Sequence, residues 1–252
     1  MLRTLDLFSG IGGFSLGLER TGGFETVAFC EIEEYPRRVL AKHWPDVPIF
    51  DDVRELTGEQ VGPIDVICGG FPCQDISFAG TGTGNDGPRS GLWSEYSRLI
   101  SEIQPQYVIV ENVAALLNRG LGRVFGDLAT FGYDAEWHCI PAADVGAPHA
   151  RERVWIIAHP RGVVGTFSIF TQDHVEEAAR RGQAQWRKNR KFAKVAPVLN
   201  KVSSSGVDKP QINRVDDGFS DWPHRLASLG NAVVPQVVEM IGHAILEAEL
   251  AN

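Results

Sequence analysis

The sequence predicts an α/β fold, a mostly parallel, doubly wound sheet with a small, irregular second lobe. Three observations predict it. Across residues 2–159, short apolar runs of strand length alternate with segments of helical spacing, the order that builds strands joined by crossover helices. Those runs end in glycines, acids, a cysteine loop or a Glu-Asn pair, and an open α/β sheet gathers its strand ends at one ligand-binding edge. From about residue 160 to 222 the alternation stops, and one clear helix follows over 236–250.

The 252 residues suffice for one large domain, or for one domain and a small one. Hydrophobic residues make up 43% and charged residues 22%, the balance of a globular rather than a disordered chain. No apolar run approaches the roughly 20 residues of a membrane helix, so no membrane partner is expected. The first residues lack a signal-peptide layout and read as the start of a strand. Cys30, Cys68, Cys73 and Cys139 are scattered, with no CxxC pair. That argues against a metal site or a disulfide framework and makes a reducing cytoplasm the simplest location. The net charge of −8 does not announce a polyanion partner. One cluster points the other way: Arg180, Arg181, Arg187, Lys188, Arg190, Lys191 and Lys194 follow one another with no acid between them. It reads equally as a phosphate-contacting patch or as a solvated helix face.

Residues 2–8 read as a buried strand, Ser9-Gly-Ile-Gly-Gly13 as a tight turn and 14–20 as a helix. This sequence of elements lets backbone N–H groups approach a ligand closely. The spacing Gly10-x-Gly12-Gly13 differs from the GxGxxG dinucleotide fingerprint. A second strand, 24–30, ends at Glu31. This acid is placed to accept hydrogen bonds from ribose hydroxyls, or to serve as a first-turn helix acid before Glu33 and Glu34. A helix over 35–43 leads to a short third strand, 47–50, and then to Asp51-Asp52-Val53. An acid there could bind a ligand amine or cap a turn.

The fourth strand, 64–68, runs into Gly69-Gly-Phe-Pro-Cys-Gln-Asp-Ile-Ser77 and puts Cys73 in a polar, glycine-flanked loop at the sheet's edge. A thiolate there is a strong nucleophile; the alternative is a small packed residue. Residues 78–91 are rich in Gly, Thr, Asn and Asp without periodicity, as a lid or substrate-gripping loop would be. A helix over 92–103 and a fifth strand over 106–110 follow, with Glu111-Asn112-Val113 at that strand's end. A helix over 121–131 precedes two more strands, 133–139 and 153–158, joined through a turn at 143–149. Arg151 and Arg153 lead into the second of these, two residues apart and so on one face. A basic helix over 176–191 and a loop at 202–206 come before the final helix, whose Val237, Val238, Ile241, Ala244, Ile245 and Ala248 fall at helical spacing.

Five short motifs, in this order, closely resemble the C5-cytosine DNA methyltransferases of bacterial and phage type. They are Asp6-Leu-Phe-Ser-Gly-Ile-Gly-Gly-Phe14, Gly70-Phe-Pro-Cys-Gln74, Glu111-Asn-Val113, Arg151-Glu-Arg-Val154 and Gly230-Asn-Ala-Val233. The resemblance covers roughly residues 2–159 and 225–250. It implies a Rossmann-like fold that binds S-adenosylmethionine. The catalytic, cofactor-binding domain would span 1–159 and 225–252, and 160–224 would be a reduced target-recognition region. The implied activity is methylation of a flipped-out cytosine in double-stranded DNA.

The resemblance also implies roles, residue by residue. Cys73 would add to C6 of the base. Glu111, protonated or sharing a proton with the base, would bond the N3 edge. Arg153 would bond O2 with Arg151 nearby, and Asn112 would support the loop. Phe8, Gly10, Ile11 and Gly12 would line the cofactor and Glu31 would hold its ribose. Ile32 and Val53 would flank the adenine and Asp52 would take its amino group. Pro72, Asn231 and Ala232 would complete that pocket. Gln74, Ser77 and Arg89, with Arg187, Lys188, Arg190 and Lys191 of the basic cluster, are the candidate nucleic-acid contacts. Two rival readings share these residues: an RNA methyltransferase acting on cytosine in transfer RNA, and a catalytically inactive DNA-binding relative. A cognate restriction endonuclease is a candidate functional partner, and the chain itself is expected to be a monomer. Two features depart from the family pattern: 160–224 is short, and His149 stands where Gln often precedes the Arg-Glu-Arg motif.

Overall fold

The computed structural model describes residues 1–72, 91–147, 149, 151–162, 171–188, 228 and 231–251. Seven strands form one sheet among the described residues. They are β1 (Leu2–Leu7), β2 (Phe24–Cys30), β3 (Ile49–Phe50), β4 (Val66–Gly69), β5 (Tyr107–Asn112), β6 (Tyr133–Pro141) and β7 (Glu152–Pro160). Their order across the sheet is β3-β2-β1-β4-β5-β7-β6. Every pairing from β3 to β5 is parallel, and β7 pairs antiparallel with both β5 and β6. The chain winds outward from β1 in both directions, so the gap between β1 and β4 is the switch point at which open α/β sheets bind ligands.

Each face of the sheet is covered by its own helices. On one face α4 (Gly91–Ile103) and α6 (Leu121–Thr130) bring Trp93, Tyr96, Leu99, Ile100, Val124 and Leu128 against Leu5, Leu7, Ile67, Val108 and Val110. On the other, α1 (Gly13–Glu19) and α8 (Pro235–Ala251) bring Phe14, Leu18, Val237, Val238, Ile241 and Ile245 against Val66, Cys68, Tyr107 and Ile109. Consecutive residues of β5 thus enter opposite cores, as the two-residue period of a strand requires. Helix α7 (Gln172–Lys188) joins the second core through Val175 and Ala178. The part of 160–224 described here therefore packs on the helix layer of the sheet. No helix among the described residues is long and apolar enough to cross a membrane.

The boundaries differ from expectation where pairing, not composition, decides them. The third strand shrinks to Ile49–Phe50, because only Phe29 and Cys30 of β2 pair with it. The fifth strand runs on through Glu111 and Asn112. Its parallel partner stops at Gly69 opposite Val110, but β7 continues the ladder to Asn112 opposite Val154. Of the remaining helices, α2 spans Glu34–His43, α5 spans Leu116–Arg119, and the short α3 (Gly58–Val61) carries a Thr57/Gln60 capping box. Helix α7 starts four residues before the expected Glu176, and 189–191 lie outside the described residues. Helix α8 opens on Pro235, whose missing N–H is no loss in a first turn.

Helix α1 meets the C-terminal segment through glycines. A Cβ on Gly17 would stand 2.5 Å from Val238 Cβ and 2.6 Å from the Pro235 carbonyl oxygen. Gly17→Ala is therefore expected to push the two helices apart and destabilise the fold by about 1–3 kcal/mol. An unchanged denaturant midpoint would contradict this.

Candidate active site

The carboxyl ends of β1, β2, β4 and β5 lie in one row, Cys30 beside Leu7, Leu7 beside Gly69 and Gly69 beside Val110. Beyond that row opens a cleft of about 720 Å³, a volume suited to a small-molecule cofactor or substrate. Because β7 is antiparallel, its beginning lies where the parallel strands end. This is how Arg151 and Arg153 reach the cleft from a distant part of the chain.

The turn after β1 bends through three left-handed residues, Phe8 (φ 54°), Gly10 (φ 53°) and Gly12 (φ 83°). A Cβ on Gly10 would meet nothing within 4 Å, so Gly10 is required by its backbone and leaves the cleft side open. A Cβ on Gly12 would strike the Trp44 ring at 2.6 Å, and the Trp44 indole N–H is anchored on Glu19 at 2.9 Å. Phe8 and Gly10 line the cleft, whereas Ile11 and Gly12 belong to the turn but not to the lining.

Glu31 is buried at the end of β2, and both of its oxygens accept backbone N–H groups, from Gly10 at 2.7 Å and from Glu33 at 2.8 Å. Burial still raises its carboxyl above the usual range. Ile32 beside it is 61% exposed, an apolar surface at the cleft mouth. Val53 is buried, and Asp52 is held bidentately by Arg54, with Nε 2.9 Å from Oδ1 and Nη2 2.6 Å from Oδ2. Those hydrogen bonds hold the Asp52 carboxyl below its usual range.

At the end of β4, a Cβ on Gly69 would collide with the Leu7 carbonyl, and one on Gly70 would lie 2.9 Å from Glu111 Oε2. The Asn112 amide donates to the Phe71 carbonyl at 2.9 Å, tying the start of the Cys73 loop to β5. Pro72 is exposed and lines the cleft. Cys73, Gln74, Ser77 and Arg89 lie outside the described residues.

Glu111 is buried, and Arg153 Nε stands 3.1 Å from its Oε1. Oε1 nevertheless lacks a well-directed hydrogen bond, so the contact is an ion pair by distance only. Burial raises the Glu111 carboxyl, and the charges of Arg153 and then Arg151 oppose the rise. Arg151 Nη2 donates to the Asn231 carbonyl at 3.2 Å, which bridges the start of β7 to the segment before α8. Asn231, Ala232 and Ser228 close the cleft there.

The basic cluster is only partly in view. Arg180 and Arg181 pair with Glu177 at 3.2 and 2.9 Å, one turn before the cluster begins. Arg187 and Lys188 fall on α7, but their side chains, with all of Arg190 and Lys191, lie outside the description.

Sequence reasoning missed Asp6, Arg54, Leu92 and Ser228. Asp6 is fully buried under the glycine turn; its Oδ2 accepts the Ser15 hydroxyl at 2.8 Å and its Oδ1 has no hydrogen-bond partner. Burial pushes the carboxyl from 3.8 up to about 8. Between those values the folded chain binds a proton that the unfolded chain has released, so stability falls as pH rises through this window. Asp6→Asn cannot ionise. Its denaturant midpoint should fall less than that of the wild type between pH 4 and 8, and parallel declines would contradict this.

The Type II methyltransferase M2.BsuMI of Bacillus subtilis (strain 168) is 36% identical over 187 residues, covering 69% of this chain and 46% of that protein. M.Bsp6I of Bacillus sp. (strain RFL6) is 36% identical over 163 residues, covering 62% and 52%. The crystal structure of a putative DNA modification methyltransferase encoded within an E. coli prophage superposes with a TM-score of 0.56 at 30% identity, covering 66% of this chain and 49% of that one. A mutant of Spodoptera frugiperda DNMT2 shares the fold, with a TM-score of 0.58 at 22% identity, covering 67% and 53%. The chain thus spans about half the length, or less, of these curated relatives. Residues 2–217 match the C-5 cytosine-specific DNA methylases, and the chain belongs to that family.

Proposed function

We propose that this chain transfers a methyl group from S-adenosylmethionine to C5 of a flipped-out cytosine in duplex DNA. The observation that carries the reading is the convergence of Glu111, Arg153 and Pro72, the residue before Cys73, on the cleft that Glu31 and Ile32 also line. The residues present fit the cofactor. The cleft has the volume, Gly10 leaves its wall open, Glu31 offers carboxylate oxygens for ribose hydroxyls, and exposed Ile32 offers an apolar surface for a purine. Val53, Asp52, Asn231 and Ala232 complete that set. When bound, S-adenosylmethionine supplies an electrophilic methyl group.

The chain's own residues prepare the base. The Cys73 thiolate adds to C6, and the electron pair displaced from the 5,6 double bond makes C5 nucleophilic. Glu111 stabilises the adduct at N3 by holding or sharing a proton, which its raised pKa favours. Arg153 bonds O2 and draws charge from the ring. Asn112 holds the entry to the Cys73 loop. After C5 gains the methyl, loss of the C5 proton and expulsion of the thiolate restore the ring. A base inside a duplex cannot reach these groups, so it must leave the stack. Membership of the DNA methylase family favours DNA as substrate, and the Type II names of the relatives favour a restriction endonuclease as functional partner.

Methylation by the full chain of duplex DNA and of transfer RNA, with labelled cofactor, tests the reading. Label in 5-methylcytosine of DNA is expected, and label in RNA alone would overturn the DNA substrate. A duplex containing 5-fluorocytosine should trap a covalent adduct at Cys73. Cofactor binding without any adduct would instead mark an inactive binder.

A further inference from the structure

We propose that Arg98 on α4 is a positioning residue for the cofactor, fixing the wall of the cleft that carries Asp52 and Val53. The inference rests on the cofactor reading above and concerns a residue that does not line the cleft. Arg98 Nη2 donates to two backbone carbonyls of that wall, Val53 O at 3.0 Å and Leu56 O at 2.8 Å. Its Nε and Nη1 are held by Glu95 at 2.7 Å and Glu102 at 2.8 Å. Glu102 in turn accepts the Gly58 N–H at 2.8 Å through its other oxygen. The planar guanidinium is thus clamped by two acids on its own helix, and its remaining donors are aimed at the loop.

The loop depends on this support. Residues 53–55 form turns and 56–57 belong to no regular element. Their local ties are N–H bonds from Glu55 and Leu56 to the Asp52 carbonyl at 3.1 and 3.2 Å, the Arg54 N–H bond to Asp52 Oδ1 at 3.0 Å and the Thr57/Gln60 box, none of which reaches the Val53 or Leu56 carbonyl. Val53 and Leu56 are buried apolar anchors whose carbonyls need donors. Arg98 supplies both and so sets where Val53 and the Asp52–Arg54 pair stand in the cleft. Read in sequence, an arginine three residues after one acid and four before another is a helix-surface pair worth a few tenths of a kcal/mol. The two carbonyl contacts give it a different role. The same helix contributes Leu92 to the cleft and begins at Gly91, just after the Cys73 loop. Arg98 therefore braces the Asp52–Val53 wall from a helix that also contributes a lining residue, Leu92, to the same cleft.

Arg98→Lys keeps the positive charge between Glu95 and Glu102 but loses the fork that reaches both carbonyls. Calorimetric titration of the full chain with S-adenosylmethionine and with 5′-methylthioadenosine, which retains the adenine and ribose but lacks the amino acid, reads the effect. The variant is expected to bind both about tenfold more weakly, the scale set by losing two charge-assisted hydrogen bonds. Its KM for S-adenosylmethionine should rise by the same factor, with kcat at saturating cofactor within about twofold of the wild type. A folded variant that binds both ligands as the wild type does, or one whose loss is confined to kcat, overturns the inference. A wild type that binds neither ligand overturns the cofactor reading instead. Should Arg98→Lys fail to fold, Glu102→Ala takes its place, since it removes both the Nη1 tether and the acceptor of the Gly58 N–H. A weakening of about threefold for both ligands supports the inference, and unchanged affinities overturn it.

Discussion

Cys73→Ser is expected to cut methyl transfer by at least about a thousandfold while S-adenosylmethionine binds with unchanged affinity. A serine hydroxyl stays protonated at neutral pH, whereas a cysteine is partly thiolate and is intrinsically the better nucleophile toward an unsaturated carbon. None of the three described cysteines is suited to take over. Cys30 lines the cleft, but burial pushes its thiol up to about 12. Cys68 is fully buried, and its thiol is also driven well up by burial. Burial raises the Cys139 thiol on β6 as well. Single-turnover methylation and calorimetric titration check the two halves separately. Retention of more than a few per cent of activity would show that the nucleophile is elsewhere.

Glu111→Gln is expected to have the next largest effect, a fall in kcat of about 10²- to 10⁴-fold with cofactor affinity preserved. Gln keeps the shape but cannot hold or share a proton with the base. It also removes the negative partner of Arg153, which now stands 3.1 Å away. The pH profile separates these causes. On the proposed mechanism Glu111 acts in its protonated form, and burial raises its pKa, so its contribution is present at low pH and is lost as pH rises through the raised value. On the same mechanism Cys73 acts as thiolate and favours the opposite direction. The wild type should show both limbs, and the Gln variant should keep only the rise toward alkaline pH. A variant that retains the falling limb would assign it to another group.

How much of this was legible in the sequence depended on how local each contact is. The glycine turn, Glu31 and Glu111 stand at strand ends, where a polar residue after an apolar run marks the sheet's edge directly. The α3 cap went unread, although Thr57 and Gln60 have the spacing of a capping box. Contacts between remote elements left no such trace. Arg151 meets the Asn231 carbonyl across 80 positions, and Arg98 meets Leu56 across 42. Trp44 falls just outside the helix read over 35–43, yet its ring lies where a Cβ on Gly12 would point. The antiparallel turn of β7 was also hidden, because a strand's direction is not written in its composition. That direction decides whether Arg151 and Arg153 lie at the cleft or at the opposite edge of the sheet.

The glycine-mediated seat of α8 on α1 has a consequence for the order in which the molecule is made. Gly17 and Val238 touch although they lie 221 positions apart, and closing a loop of that length costs on the order of 5 kcal/mol of chain entropy. A ribosome reaches Asn231 and α8 only after the whole sheet has emerged, and until then the apolar face of Phe14 and Leu18 is uncovered and the cleft lacks a wall. Nascent chains therefore pass through a stage that holds Glu31, Glu111 and both arginines while the part of the cleft lining given by Ser228, Asn231 and Ala232 is still missing.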